Sequence, residues 1–447
     1  MQITTGNGND TVIRPTLANG TVFRSNDIIR TNGGNDTINP GLGSLDYVYG
    51  GTGIDHLILD YSVGDTGTGI SFTGGSARRW TDSTSNRRTL DSVLFYEIEQ
   101  FTVTGTSKDD TFTLSTTNSI IRAGAGNDQV SVTRPITGNI GTLDGGTGID
   151  YLVLDLSNQT ANLTLINLRD INIPGVVRAT NFERFSIDTG IGNDIVLQSG
   201  IVNGAVLRQN DLIRTGAGND TINAGLGNDT VIGGFGGLDH LIIDYSVGDT
   251  GTGMRFNGSN VYGTASRDVS TTNPTDLDFI EFTGIEQFTV TGTSKNDSLF
   301  GASGNDIIKG GAGNDTIRGG AGRDLLTGGT GVDTFQYQSF TESLLSNYDV
   351  ITDLAIGTDI IDAPRAISAS QIQKLGYVSS LTETAIQRVL TPTNFATNGA
   401  STFRFRDGLI DRTFLALNNS SAGFSASTDS LMEITGFTGN LNNLSIV

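Results

Sequence analysis

GTSKNDSLF, GASGNDIIK, GGAGNDTIR, GGAGRDLLT and GGTGVDTFQ follow one another without a gap from Gly292 to Gln336, five nonapeptides filling 45 residues. Glycine holds most of positions 1, 2 and 4, at Gly301, Gly304, Gly310, Gly311, Gly313, Gly319, Gly320, Gly322, Gly328, Gly329 and Gly331. Aspartate holds position 6, at Asp297, Asp306, Asp315, Asp324 and Asp333, and an apolar residue holds position 8. In a strand, successive side chains point to opposite faces. Leu299, Ile308, Ile317, Leu326 and Phe335 at position 8 are therefore expected to face inward, with the mostly polar positions 7 and 9 facing outward. Positions 1 to 6 must then reverse the chain in a tight turn, where glycine adopts positive φ and lets carbonyls converge on an ion. Two turns make one coil, so equivalent turns are expected 18 residues apart.

Looser copies run upstream. TGNGNDTVI from Thr5, TNGGNDTIN from Thr31, GGTGIDHLI from Gly50, GTSKDDTFT from Gly105, AGAGNDQVS from Ala123 and GGTGIDYLV from Gly145 place Asp10, Asp36, Asp55, Asp110, Asp128 and Asp150 at position 6. TGIGNDIVL, TGAGNDTIN, AGLGNDTVI and GFGGLDHL add Asp194, Asp220, Asp229 and Asp239. A longer duplication overlies these turns. Residues from Thr5 match those from Thr189 at an offset of 184, and IEQFTVTGTSK recurs at Ile98 and Ile285 with an offset of 187. A middle copy shares GGTGIDYLVLDLS and NFERFSIDTGIGND. The chain therefore divides into repeat units at 1–131, 132–188 and 189–291, a regular array at 292–336 and a tail at 337–447. Each unit reads as turns, a long alternating strand, a variable loop, a second strand ending in E-x-F, and turns again. The polar loops around Ser71 to Asp91 and Asn257 to Asp278 give no readable pattern.

Composition narrows the function. Glycine numbers 61 of 447 residues, with neither a Gly-X-Y period nor collagen's proline, so it serves turns. A formal charge of −20 repels nucleic acid and anionic lipid and makes cations the natural partner. Cysteine is absent, which removes disulfides and thiolate metal sites. No apolar run approaches the roughly 18 residues of a membrane span, and no charged, apolar, small-residue leader follows Met1. Either the start is truncated or export uses another signal.

The GGxGxDxUx pattern resembles the RTX, or hemolysin-type calcium-binding, family. The resemblance is dense over Gly292 to Gln336 and patchy before it. It implies a mostly β protein, a parallel β-roll or β-helix solenoid, to which the helix and strand signals of the tail add a small α+β C-terminal domain. It also implies calcium between turns one coil apart, held by carbonyls of positions 1 and 3 of one turn, carbonyls of positions 2 and 4 of the other, and both aspartates. Three complete sites follow, pairing Asp297 with Asp315, Asp306 with Asp324, and Asp315 with Asp333. In the first, Thr293 and Lys295 replace glycines. An all-oxygen, flexible ligand set suits calcium better than magnesium. The resemblance further implies a secreted or cell-surface protein exported by type I secretion with an uncleaved C-terminal signal.

In the tail, helices are expected at Ser368 to Leu375 and Ser380 to Leu390, each opening on a capping box. Strands are expected at Thr402 to Arg406, Thr413 to Leu417 and Leu431 to Phe437. DVITDLAIGTDIID from Asp349 resembles segments that close RTX arrays, and the stretch from Thr413 resembles the bluetail module of bacterial surface proteins.

The expected function is calcium binding without catalysis. His56 and His240 sit at position 7 beside turns, and neither HExxH nor GxSxG occurs. A carbohydrate-active enzyme is the alternative, drawing on Asp60, Asp155 and Asp244 with Glu99, Glu183 and Glu286 as acid pairs. Three equal copies argue for a structural role instead. Arg78, Arg79, Arg87 and Arg88 read as a solvated loop or local ion pairs, with a sugar or cell-surface contact as the sharper reading. An adhesin or surface-layer component remains the second alternative.

Overall fold

A computed structural model describes residues 1–14, 17–18, 21–64, 66–81, 88–133, 137–202, 205–248, 251–259, 261–268, 276–419 and 421–447. Arg87 and parts of both variable loops lie outside these residues. The chain forms two compact units, Met1–Gln198 with Gln209–Gly216, and Ser199–Arg208 with Ala217–Val447. Both are built from short parallel strands stacked in register, and no helix among the described residues is long and apolar enough to cross a membrane.

In the first unit, one sheet stacks Val12 on Ile38, Ile38 on Leu57 and Leu57 on Phe101. The stack resumes two residues along that strand, Val103 on Ile121 and Ile121 on Leu143. The facing sheet stacks Phe72 on Phe112, Val130, Leu152 and Phe185 in turn. Phe72 also meets Phe101 edge to face at 5.1 Å, so the core is filled by ladders of identical register from the two sheets.

The second unit contains the regular array, where successive nonapeptides alternate between sheets. Ser298–Phe300, Thr316–Arg318 and Thr334–Gln336 lie on one, Ile307–Ala312 and Leu325–Thr330 on the other. Leu299, Ile308, Ile317, Leu326 and Phe335 are all at most 1% exposed, as the alternation requires. The tail then continues both sheets. Asp349–Ile351 pairs with Leu325–Thr330 and is flanked by Ser430–Glu433, while Ile360–Asp362 pairs with Thr334–Gln336 and is flanked by Ser445–Ile446. The tail thus carries both sheets beyond the last nonapeptide.

The tail has one short helix, Glu383–Gln387, capped by Thr382 rather than Ser380. Its Ile386 packs with Leu390, Phe403, Phe414 and Leu431 in a separate core. The helix expected at Ser368 to Leu375 is a 3-10 turn, Ala369–Gln371, followed by the strand Ile372–Val378. Gln371 does reach back to the Ser368 amide at 3.3 Å. Pairing of Ile372 with Ala400 on the neighbouring strand overrides the local preference. The expected tail strands appear as Ala400–Asp407, Ile410–Leu417 and Ser430–Glu433.

The variable loops carry strands the polar sequence hid. Ile70–Thr73, Ser76–Trp80 and Thr89–Tyr96 form an antiparallel excursion, repeated by Met254–Asn257, Gly263–Asp268 and Asp276–Thr283. Each is pinned by a fully buried ion pair. Arg79 donates to Asp91 Oδ2 at 2.6 Å and to the Tyr61 carbonyl at 3.1 Å, while Arg24 holds Asp91 Oδ1 at 2.8 Å. Arg267, Asp278, Tyr245 and Arg208 repeat the set. Arg79 is therefore no part of a solvated cluster; it is 0% exposed, whereas Arg78 beside it faces solvent.

Removing one member of such a pair strands the other charge in the core. Arg79→Met is expected to cost about 3 to 5 kcal/mol in the first unit, and Arg79→Met with Asp91→Leu appreciably less. Urea denaturation of both variants with calcium present checks the order.

Candidate metal centre

The turns of the array are shaped by contact between coils. Gly311, Gly313, Gly320, Gly322, Gly329 and Gly331 all have φ between +102° and +146°. A Cβ on Gly329 would lie 1.9 Å from the Gly311 carbonyl oxygen, and one on Gly331 would lie 1.7 Å from that of Gly313. Gly320 and Gly322 meet the carbonyls of Ala302 and Gly304 in the same way. Position 1 is small for another reason: a Cβ on Gly310 would strike Asp315 Oδ2 at 2.2 Å and the Gly328 carbonyl at 2.6 Å. Gly319 and Gly328 are likewise closed by Asp324 and Asp333, and Gly301 by Asp306 and the Gly319 carbonyl. Gly304 abuts the Glu286 carbonyl. Beside Asp297, Asp306 and Asp315, a carbonyl oxygen of the next coil therefore lies close to position 1 of the turn, at Gly310, Gly319 and Gly328.

The aspartates themselves form ladders. The Asp297 amide donates to Asp315 Oδ1 at 2.9 Å, Asp306 to Asp324 at 2.8 Å, and Asp315 to Asp333 at 3.0 Å. These are the three expected pairs, and the equivalent residues lie 18 apart as the coil length requires. The ladders continue past the array, from Asp324 to Asp349 and from Asp333 to Asp359. Upstream, one runs Asp10, Asp36, Asp55 and ends on Glu99. Another runs Asp110, Asp128, Asp150 and ends on Glu183. A third links Asp220, Asp239 and Glu286. Asp194 accepts from the Leu163 amide. Asp229 departs from the turn geometry, being buried within the strand Asn228–Gly234.

Only one carboxylate oxygen is used along much of this ladder. Oδ2 of Asp10, Asp36, Asp55, Asp128, Asp150, Asp315 and Asp324 is buried without a hydrogen-bond partner. Burial without compensation raises the carboxyl pKa. Burial, opposed by the Asp297 amide and reinforced by the charges of Asp297 and Asp333, pushes Asp315 up to about 7. Burial pushes Asp306 to about 6 and Asp128 to about 7. A buried anionic oxygen flanked by carbonyl oxygens is what a hard divalent cation satisfies. No group of three or more His, Asp or Glu side chains among the described residues could chelate a metal, so backbone carbonyls must supply much of any ligand set.

A family model for the RTX calcium-binding nonapeptide repeat, written in four copies, matches residues 24–44, 104–132, 208–237, 289–317 and 300–335. The chain carries RTX calcium-binding repeats. No curated protein matches it.

Not every RTX turn is alike. In the first nonapeptide, the Thr293 hydroxyl donates to Asp297 Oδ1 at 2.8 Å and the Thr293 amide to Oδ2 at 2.6 Å. Thr106 does the same for Asp110. Both carboxylate oxygens are engaged by their own turn in these GTSK copies, and the Lys295 amide closes on the Thr293 hydroxyl. Residues that the glycine pattern misses also join the ladders: Asp27 donates to Asp46, and Phe185 to Asp211. Asp27, Asp46, Asp211, Asp349 and Asp359 all read D-x-U, aspartate two residues before a buried aliphatic, and that spacing is the signal that finds them.

The other candidate residues have plain local partners. Asp60, Asp155 and Asp244 accept from the amide and hydroxyl of the serine two residues on, at 3.0 and 2.6 Å in every copy. Glu99, expected at a strand end, instead lies immediately before the start of the strand Gln100–Thr104. His56 and His240 lie within 2.8 Å of Thr102 and Thr289 hydroxyls across the sheet, and burial lowers both pKa values.

Two outcomes are expected. Asp315→Ala should raise the calcium concentration for half-maximal folding more than Asp297→Ala does, because Thr293 already satisfies Asp297; circular dichroism during calcium titration measures it. Without calcium, acids whose folded pKa lies above the ordinary 3.8 favour the folded state least at high pH. Ion-free stability should fall as pH rises from about 4 through about 7, while the increment from calcium grows over the same interval. Thermal melts in chelator and in calcium across that range read both trends.

Proposed function

We propose that this chain is a secreted or cell-surface RTX protein whose repeats fold on calcium and whose role is to bind rather than to catalyse. The observation that carries the reading is the row of buried, half-satisfied carboxylates facing inter-coil carbonyls. Calcium affinities of extracellular modules are about 10⁻⁴ to 10⁻³ M. Sites of that strength stay empty in the cytosol and fill outside the cell, so the array would order only after export. At free calcium ten times the dissociation constant, each independent site adds roughly 1.4 kcal/mol.

The acid pairs favour a non-catalytic role. Glu99, Glu183 and Glu286 each spend an oxygen on an aspartate amide, and Asp60, Asp155 and Asp244 each close a serine turn. Within the binding reading, an adhesin or surface-layer component fits the bluetail-like tail, and type I export fits the RTX repeats. A carbohydrate-active enzyme on this scaffold is the competing reading.

Polysaccharide turnover assayed with calcium present separates them. Glu99→Gln and Glu286→Gln are expected to lower the melting temperature and abolish no reaction. Loss of a glycan-cleaving activity with unchanged folding would establish the enzyme instead.

A further inference from the structure

Both aspartate ladders of the array run on into the tail, and they end differently. On one, the Asp333 amide donates to Asp359 Oδ1 at 3.1 Å, and the Ala355 amide donates to Asp359 Oδ2 at 2.7 Å. Both oxygens of that carboxylate are used within the protein. On the other, the Asp324 amide donates to Asp349 Oδ1 at 2.9 Å, but Asp349 Oδ2 is buried without a hydrogen-bond partner. Asp324 Oδ2 is orphaned in the same way. Asp349 is 0% exposed and Asp324 1%.

A third orphan faces these two. Residue 337 follows Gly319 by 18 residues, as Gly319 follows Gly301, so it holds position 1 of the next turn, and it is tyrosine. Its hydroxyl is buried without a hydrogen-bond partner. Burial first, then the charges of Asp349 and Asp324 beside it, hold the hydroxyl proton in place. Burial and the Asp324 charge likewise push the Asp349 carboxyl well above its ordinary pKa. Among the described residues neither aspartate has an ion-pair partner. Glu342, whose charge also reaches this group, is itself held by Arg318 at 2.5 Å and by the Gln338 amide at 3.1 Å.

The nonapeptide's own means of holding an ion does not continue here. Beyond Tyr337 the glycine pattern stops. The Asn347 side chain donates to the Gly322 carbonyl of the preceding turn at 3.1 Å. The Asp349 amide donates to the Ser343 hydroxyl at 2.8 Å, where the ladder would otherwise place a further aspartate. This junction therefore offers side chains rather than a second glycine turn. Asp324 also lines an open pocket of about 370 Å³, which brings solvent to the turn.

We propose that Asp324, Asp349 and the Tyr337 hydroxyl hold a calcium ion at the junction of array and tail, a side-chain site outside the nonapeptide pattern. Two carboxylates balance a divalent charge, the phenol adds a neutral oxygen, and water completes the shell. Calcium accepts such an irregular set, whereas magnesium demands a near-ideal octahedron. Two buried carboxylates without a counter-charge are otherwise costly. Because Asp324 belongs to the array and Asp349 opens the tail strand flanked by Ser430–Glu433, the ion ties the tail to the last coils. The site rests on the calcium reading above and can fail without it.

Bound calcium per chain, measured by plasma mass spectrometry on the full chain dialysed against millimolar calcium with magnesium in excess, tests it. Asp349→Asn should bind one ion fewer than wild type, since it leaves the Asp306–Asp324 pair intact. Asp359→Asn should bind as many as wild type. Tyr337→Phe removes only an orphaned hydroxyl, so its fold stands, and one calcium should bind about ten-fold more weakly in a calorimetric titration. Should Asp349→Asn fail to fold, Tyr337→Phe decides alone. A wild-type count in folded Asp349→Asn, or wild-type affinities in Tyr337→Phe, overturns this site and leaves calcium binding by the repeats standing. A wild-type chain that binds no calcium overturns both.

Discussion

The rung between coils, an aspartate carboxylate of one turn accepting the aspartate amide of the turn before it, is the constraint on which the rest of the molecule depends. It fixes register, because a shift by one residue would turn the carboxylate away and send the buried apolar residue two places on into solvent. It also creates the electrostatic problem that defines the protein. Stacking the rungs buries carboxylates in rows, and burial raises the pKa of Asp315, Asp306 and Asp128 among them. A cation bound between coils would offset the cost through the same oxygens that cause it.

The rungs tolerate substitution in instructive ways. Glutamate replaces aspartate where a ladder ends beside an antiparallel excursion, its longer side chain reaching back to Asp55, Asp150 or Asp239. Threonine engages both carboxylate oxygens in the two GTSK turns. The buried Arg79–Asp91 and Arg267–Asp278 pairs solve a different problem, tying each excursion onto the core through the Tyr61 and Tyr245 carbonyls. The molecule thus handles buried negative charge in three ways: by amides, by guanidinium groups, and by positions suited to calcium.

Most of the solenoid was legible because its two rules are local. Aspartate at position 6 and an aliphatic at position 8 locate turn and strand together, and Leu299 through Phe335 lie where that spacing puts them. The excursions were not legible because their inward positions carry Arg79 and Asp91, which read as loop until each is seen to neutralise the other. The strand at Ile372–Val378 was hidden by a helical local pattern that pairing with Ala400–Asp407 overrides. The ladder members Asp27, Asp46, Asp211, Asp349 and Asp359 lie outside the glycine-rich signature, because the rung requires only the D-x-U spacing.

A second, weaker ladder flanks the first. The position-5 asparagine of one turn accepts the position-5 amide of the next, as Asn296 does from Asn314, Asn314 from Val332 and Asn305 from Arg323. Its bonds run opposite to those of the aspartates and involve a neutral acceptor, so they are the weaker set. The aspartate-to-amide rungs are accepted from the C-terminal side, whereas in the position-5 ladder Asp109 accepts from the Asn127 amide on its own C-terminal side. Each such amide depends on the coil that follows it, and beyond the array the acceptors are the tail carboxylates Asp349 and Asp359. The last coil of any such stack would lack acceptors for its aspartate amides, a need that Asp349 and Asp359 meet after the array and that Glu99 and Glu183 meet upstream.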